Sequence, residues 1–261
     1  MTTTTALRPV TVAELQRAYR DVLDGRFRRH PTRTPRTDET WHGPALPVLA
    51  ACSASGAPPI ALALPTATGG SRLAACAAPA SALAGAATAE LGQDDDGWVR
   101  GRRGEVLLER PAAPVATAHP PTTPQGYEGE LAVIDVAAPV ETVIVGRSWV
   151  ADLLRRPGPV VVTTTSTVPG FRRLDRTLDL LRHREVVVAT GSPSRRHRDR
   201  AAAHAWEQVC AAHDLRGRVV TVPLDPRLRV HGIDSAPLPA ALLRTARHAL
   251  TLTTLNRKVS S

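Results

Sequence analysis

The nineteen residues Leu46–Leu64, LPVLAACSASGAPPIALAL, decide how the rest of the chain is read. Pro47–Ala51 is a short apolar run without alternation, the pattern of a strand covered on both faces. Cys52–Gly56 is a turn of small residues. Pro58 and Pro59 suit the first turn of a helix, where a missing N–H goes unnoticed. Strand, tight turn and helix N-terminus in that order aim backbone N–H groups and the positive end of a helix dipole at one point, as phosphate-holding α/β folds do. A working loop of that kind also needs GxxxxGK[ST], whose Lys reaches the β- and γ-phosphates and whose hydroxyl binds Mg2+. Here Gly56 is followed by Ala57, Pro58 and Pro59. The frame is kept while the charged chemistry is missing.

Downstream, Ile60–Ala67 reads as the helix, closed by Gly69 and Gly70, and Arg72–Ala77 as a second strand stopped by Pro79. SALAGAATAELG, residues 81–92, is Ala-rich and predicts a helix. Asp94–Asp96 with Gly97 mark a turn, and WVRGRRGEVLLER predicts a hairpin around Gly101–Gly104. Residues 111–126, rich in Pro, Thr and Ala, are expected outside the core. Leu131–Val136, Val160–Thr165, Glu185–Thr190 and Arg218–Val222 are further apolar strands. Helices are expected at Trp149–Arg155, at 171–183 after Pro169-Gly170, at 201–215, and at Ala240–Thr251. The stretch PLDPRLRVHGIDSAPLP after the last strand reads as loop. This alternation predicts an α/β fold, a mostly parallel doubly wound sheet with helices on both faces.

Upstream, residues 1–10 are expected to be disordered. Thr11 and Glu14 form a capping box for a helix carrying Val12, Leu15, Tyr19 and Val22, ending near Gly25. Arg26–Thr40 is a basic, Pro-broken linker, a solvated tether or a basic arm for DNA or phosphates. The α/β domain is therefore expected over 46–252, preceded by the N-terminal helix and linker (11–45) and followed by a flexible tail, 253–261.

The 261 residues carry a formal charge of +9 and only 3% aromatics, so the core must be built from Ala, Val and Leu. Such a charge attracts nucleic acid or anionic surfaces and says nothing about fold. Cys52, Cys76 and Cys210 form no CxxC pair. Cys52 and Cys76 are expected near the ends of adjacent strands, in the reduced state. The first residues lack an apolar signal core and no run reaches membrane-spanning length, so a cytoplasmic protein without a membrane span is expected.

Ligands in open α/β sheets bind at the C-terminal strand ends. Here those are Cys52–Gly56, Asp135, Thr163–Thr167, Gly191–Ser194 and Pro223–Asp225. Asp135 closes an apolar strand, where an acid can orient Mg2+ or water, or simply cap a turn. Three longer segments add to these: LAVIDVAAP (131–139), VVVTTTSTVPGFRRLDRTLDLL (160–181) and VPLDPRLRVHGIDSAPLPAALLRTARHAL (222–250). With the glycine turn, in this order over roughly 200 residues, the chain resembles the ParA/MinD-like branch of P-loop NTPases.

The resemblance implies that Ser53, Ser55, Gly56 and Ala57 stand in the phosphate loop, Asp135 at the Mg2+ side, and Pro223 and Asp225 on the purine side. It also implies a homodimer, a protein partner at 163–182, and roles in DNA partition or in positioning cellular machinery. The departure lies in the loop. Ala57 falls on the family's Lys, Pro58 and Pro59 on its two hydroxyl residues, and Cys52 or Ser53 near the signature Lys used across the dimer. Little or no ATP hydrolysis is expected. Weak ATP binding rests on the N–H groups of Ser53, Ser55 and Gly56, and Mg2+ is not expected.

Residues 171–200 carry nine Arg against four acidic residues, with Arg195, Arg196, Arg198 and Arg200 in one loop. This is a solvated face or a sequence-independent DNA contact. Asp135, His231, Asp234 and Ser235 hold the residue types of a hydrolase triad, but there is no GxSxG elbow. The histidines lack metal-ligand spacing. The leading expectation is thus a ParA/MinD-like binding or positioning component without ATP hydrolysis. The alternatives are an active ATPase that borrows its cation from the 195–200 loop or a partner, and a nucleic-acid-binding protein with no nucleotide role.

Overall fold

The segment read first becomes the centre of the molecule. In the computed structural model, which describes residues 40–76, 83–94, 97–112, 122–124, 130–192 and 200–253, β1 (Ala45–Ala50) lies inside a nine-stranded sheet. The other strands are β2 (Arg72–Ala75), β3 (Ala89–Gln93), β4 (Trp98–Arg103), β5 (Val106–Pro111), β6 (Ala132–Asp135), β7 (Pro159–Thr164), β8 (Glu185–Gly191) and β9 (Val219–Val222). Their order is β3-β4-β5-β2-β6-β1-β7-β8-β9. From β5 to β9 every neighbouring pair is parallel, and only β4 runs against its neighbours. β1 is flanked by β6, with Val48 level with Asp135, and by β7, with Val48 level with Val161.

Helices cover both faces. On one side lie α1 (Ala57–Thr68) and α7 (Ala240–Thr251), packed on Leu46, Val48, Val133, Val161 and Val187. On the other lie α2 (Val140–Ile144), α3 (Trp149–Arg155), α4 (Val168–Leu180) and α5 (Arg200–His213), packed on Leu49, Ile134, Val160, Val162 and Val188. Alternate residues of one strand thus feed opposite layers, and both faces need apolar side chains. The aromatics among the described residues sit in the second layer: Trp41 stacks on Trp149 with ring centroids 5.4 Å apart, and Phe171 meets Trp206 at 5.1 Å. The short α6 (Pro226–His231) buries no side chain.

The sheet and its two helical layers agree with the expectation; several local readings do not. Ala89–Gly92 belongs to β3 rather than to an Ala-rich helix, and Leu83–Gly85 is a turn. Helix propensity was overridden by pairing with β4 and by Glu90 receiving two hydrogen bonds from Arg110, both 2.8 Å. Gly101 permits this pairing, since a Cβ there would lie 2.7 Å from that of Ala87. Cys52 and Cys76 do not end adjacent strands, because β6 lies between β1 and β2; all three cysteines are free. Pro169 and Gly170 fall inside the first turn of α4 rather than before it. Thr167 caps that turn, accepting the N–H of Gly170 at 3.1 Å, and Pro at the start of a helix removes no bond. The stretch after β9 includes α6, capped by Asp225.

Two arginines tie distant parts together. Arg103 on β4 donates to the carbonyl oxygens of Ala86 (2.7 Å), Asp234 (2.6 Å) and Ala236. Arg184 donates to those of Leu153 (2.6 Å), Pro159 (2.9 Å) and Arg156. Burial pushes both guanidinium pKa values down, Arg184 to about 10. The predicted helix at 11–25, residues 1–10, most of the basic linker and residues 254–261 lie outside the described residues. Among the described residues, no helix is long and apolar enough to cross a membrane.

Candidate functional site

The sheet places its own crevice. The connection leaving β1 goes to α1 on one face, whereas those leaving β6 and β7, on either side of β1, go to helices on the other. Chains diverging in this way open a gap at the C-terminal end of β1, the position where open α/β sheets bind ligands. The 52–56 loop lies there.

Its backbone turns tightly into a helix, as a phosphate loop does. Ala54 (φ 57°) and Gly56 (φ 84°) are left-handed, and Gly56 opens α1 directly. Left-handed Ala is strained where Gly is not, so the turn is held by its surroundings rather than by local preference. The donors differ from those of such a loop. Pro58 and Pro59 have no N–H, and the N–H of Ile60 donates to Gly56 O at 3.2 Å, which leaves Ala57 alone in the first turn. Ala57 is buried and uncharged, with α1 sunk into the core from Ile60 to Pro65.

Polar side chains of the loop turn inward. The Ser55 hydroxyl is buried and lies 2.6 Å from that of Thr163 on β7, which also donates to Leu49 O at 3.3 Å. The Cys52 thiol lies 3.4 Å from the Thr165 hydroxyl and 3.9 Å from that of Thr164. Thr165 in turn bonds Thr167 at 2.9 Å, and Thr164 donates to Gly170 O at 3.1 Å. Gly170 is needed for this close approach: a Cβ there would meet the Thr165 hydroxyl oxygen at 2.4 Å and the Thr165 carbonyl oxygen at 2.5 Å. Ser53 alone of the loop's hydroxyl residues is exposed.

Asp135 ends β6, level with Val48 of β1 and on the face that carries α1. It is 1% exposed, and its Oδ1 has no hydrogen-bond partner. Burial pushes its pKa up to about 7, against a hydrogen bond from the Ala137 N–H that lowers it. Burial, with Asp135 nearby adding to it, also pushes the Cys76 thiol far up.

The remaining expected positions are spread out. Pro223 and Asp225 follow β9, three strands from β1, about 14 Å away at ordinary strand spacing. Asp225 accepts the N–H of Leu228 at 2.9 Å, so its side chain is engaged as the cap of α6. Arg200 is exposed at the start of α5, while Arg195, Arg196 and Arg198 lie outside the described residues. The triad residues do not form a triad: Asp234 is held by Arg227 at 2.7 Å and by the Ala236 N–H at 3.0 Å, and Asp135 is enclosed under α1's face of the sheet. No group of three metal-binding side chains occurs among the described residues. What sequence reading missed is the role of Thr163–Thr165: their clustering was visible, but not which loop they hold.

A parallel sheet with a central first strand, a glycine turn into a buried helix and an acid on the neighbouring strand is the fold of ParA/MinD-like P-loop ATPases. Solved structures agree. A plasmid partition protein from Borrelia burgdorferi B31, described as bound to AMPPNP, superposes with a TM-score of 0.54 at 10% identity over 83% of this chain and 100% of its own. McdA from Cyanthece superposes at 0.50 with 12% identity, over 80% of this chain and all of its own. No protein-family model matches the sequence, and no curated protein aligns with it.

The loop pattern GxxxxGK[ST] holds Mg2+-bound ATP, and the residues present here do not match it. Ala57, Pro58 and Pro59 stand where the pattern GxxxxGK[ST] carries its Lys and hydroxyl residues, and the two prolines offer no N–H at the start of α1. The Ser55 hydroxyl is engaged with Thr163. Burial holds the Asp135 carboxyl well above the usual carboxylate range, so it ionises less readily than an exposed acid.

Proposed function

We propose that this protein is a ParA/MinD-like binding or positioning component that does not hydrolyse ATP. The observation that supports the reading is the run Cys52–Pro59, in which a left-handed glycine leads directly into a helix while Ala57, Pro58 and Pro59 stand where the pattern GxxxxGK[ST] has its cation and hydroxyl residues. Losing such transition-state contacts lowers rates by roughly 10² to 10³ apiece. Nucleotide affinity then depends on a few N–H groups without charge support. The test is an ATP titration by calorimetry with and without Mg2+, followed by phosphate release. Weak or absent binding without turnover is expected; turnover clearly above the buffer rate refutes the reading.

The same reading supplies candidate partners. Arg172, Arg173 and Arg176 on α4, Arg182 after it and Arg200 on α5 are exposed, and they lie close in sequence to Arg195, Arg196 and Arg198. This supports DNA bound through phosphates, with affinity that falls as salt rises. The 163–182 segment is the proposed docking region for a protein partner, and a homodimer the proposed assembly. Sedimentation of the full chain, with and without duplex DNA, checks both assembly and DNA contact.

A further inference from the structure

We infer that the β1–α1 loop is latched by its own side chains, Ser55 onto Thr163 and Cys52 onto Thr165, so that it and the β7–α4 connection form one body without any nucleotide. The inference rests on the reading of the loop as non-catalytic and adds how that surface is regulated: by nothing that binds in the loop.

Four observations support the latch. Ser55 is buried although its neighbours Ser53 and Ala54 are exposed, so its hydroxyl is drawn under the loop rather than offered to a ligand. Its bond to Thr163, at 2.6 Å, is short and screened from water, where a hydrogen bond is worth most and an unpaired hydroxyl costs most. Cys52 holds a second point on the same connection at 3.4 Å, and the backbone adds a third, the Ala51 N–H donating to Thr163 O at 2.9 Å. Finally, the connection is itself braced by Thr165–Thr167, by Thr164 on Gly170 O, and by Ser166, which bonds Thr190 at 3.1 Å and Gly191 O on β8. Here the Ser55 hydroxyl and the Cys52 thiol are engaged already, Ser55 across 108 residues of sequence.

The physical consequence is a surface fixed in one arrangement. A ligand shifts a conformational equilibrium only by its differential affinity for the two states. Here the inward-turned hydroxyl and thiol, together with the two prolines, leave nucleotide little with which to favour a second state.

The experiment is hydrogen exchange by mass spectrometry on the full chain, following peptides that cover 51–60 and 163–170. In Ser55→Ala, exchange is expected to quicken about fivefold or more in both peptides, although the substitution lies in only one, because the loss of one buried bond is felt on both sides. Cys52→Ala should act in the same direction and more weakly. If Ser55→Ala folds poorly, Thr163→Val removes the same contact while keeping the side-chain shape, and the 51–60 peptide is read instead. Excess ATP with Mg2+ should leave both peptides of the unmodified protein unchanged. The latch is overturned if Ser55→Ala speeds only its own peptide, or if nucleotide slows exchange at 51–60. Measured ATP turnover with an intact Ser55–Thr163 coupling would refute the non-catalytic reading and leave the latch standing.

Discussion

Asp135 gives the sharpest test of how burial shapes this site. Its pKa is raised from 3.8 in the free side chain to about 7 in the folded protein. The folded chain therefore holds a proton that the unfolded chain releases. Stability is full below about pH 4, falls as pH rises through 7, and levels off above it. Asp135→Asn keeps the acceptor for the Ala137 N–H and removes the titration. It should raise unfolding stability at pH 8, by up to about 4 kcal/mol, and flatten the profile between pH 4 and 7. Urea unfolding at pH 5 and pH 8 decides this; a variant weaker than the parent at pH 8 contradicts it. Ala57→Lys makes the converse point. Ala57 is 3% exposed, so a Lys there would be buried without a partner. A loss of roughly 2–4 kcal/mol, read as a lower Tm without nucleotide, is expected. The replaced signature residues were plain in the sequence. The burial of Asp135 was not, because it depends on β1 and β2 closing on both sides of β6.

Regular elements were legible where one apolar pattern served one role. The strands from β6 to β9 and helices α3 and α7 fall within two residues of their expected limits, since Val-rich runs and clear caps leave few alternatives. The reading failed at β3, where an Ala-rich stretch is captured by a neighbouring hairpin, and at α2 and α6, too short to show a period. The tight start of α4 was also hidden. Thr165 and Thr167 fold over Gly170, and Gly170→Ala should destabilise the protein by about 2 kcal/mol or more, because the clash is with backbone as well as side chain. Chemical denaturation measures it, and a shift under half that value would mean the turn gives way easily. The overrunning proline content of α1 belongs here as well. Pro58, Pro59 and Pro65 sit in one helix that is nevertheless buried from Ile60 to Pro65. Tertiary packing, not propensity, holds it.

For the molecule as a whole, the charge of +9 is the property on which the proposed DNA contact rests. If the 195–200 loop carries DNA contact, replacing Arg195, Arg196, Arg198 and Arg200 by Ala should weaken binding of any duplex sequence alike. It should also reduce the slope of log affinity against log salt by up to about 3–4. Anisotropy titrations at several salt concentrations measure this, and unchanged affinity would exclude the loop. The fold itself was readable from the alternation of strands and helices. The order of strands was not, because pairing between distant segments leaves no periodic mark on either. That order has a consequence for biosynthesis. β1 is made early, yet both of its neighbours, β6 (Ala132–Asp135) and β7 (Pro159–Thr164), emerge long after it. During translation the apolar segment Leu46–Leu49 must wait unpaired until more than half the chain is made. Slow ribosomal transit or a scarcity of holding chaperones should then lower the yield of folded protein more than any weakness of the finished sheet.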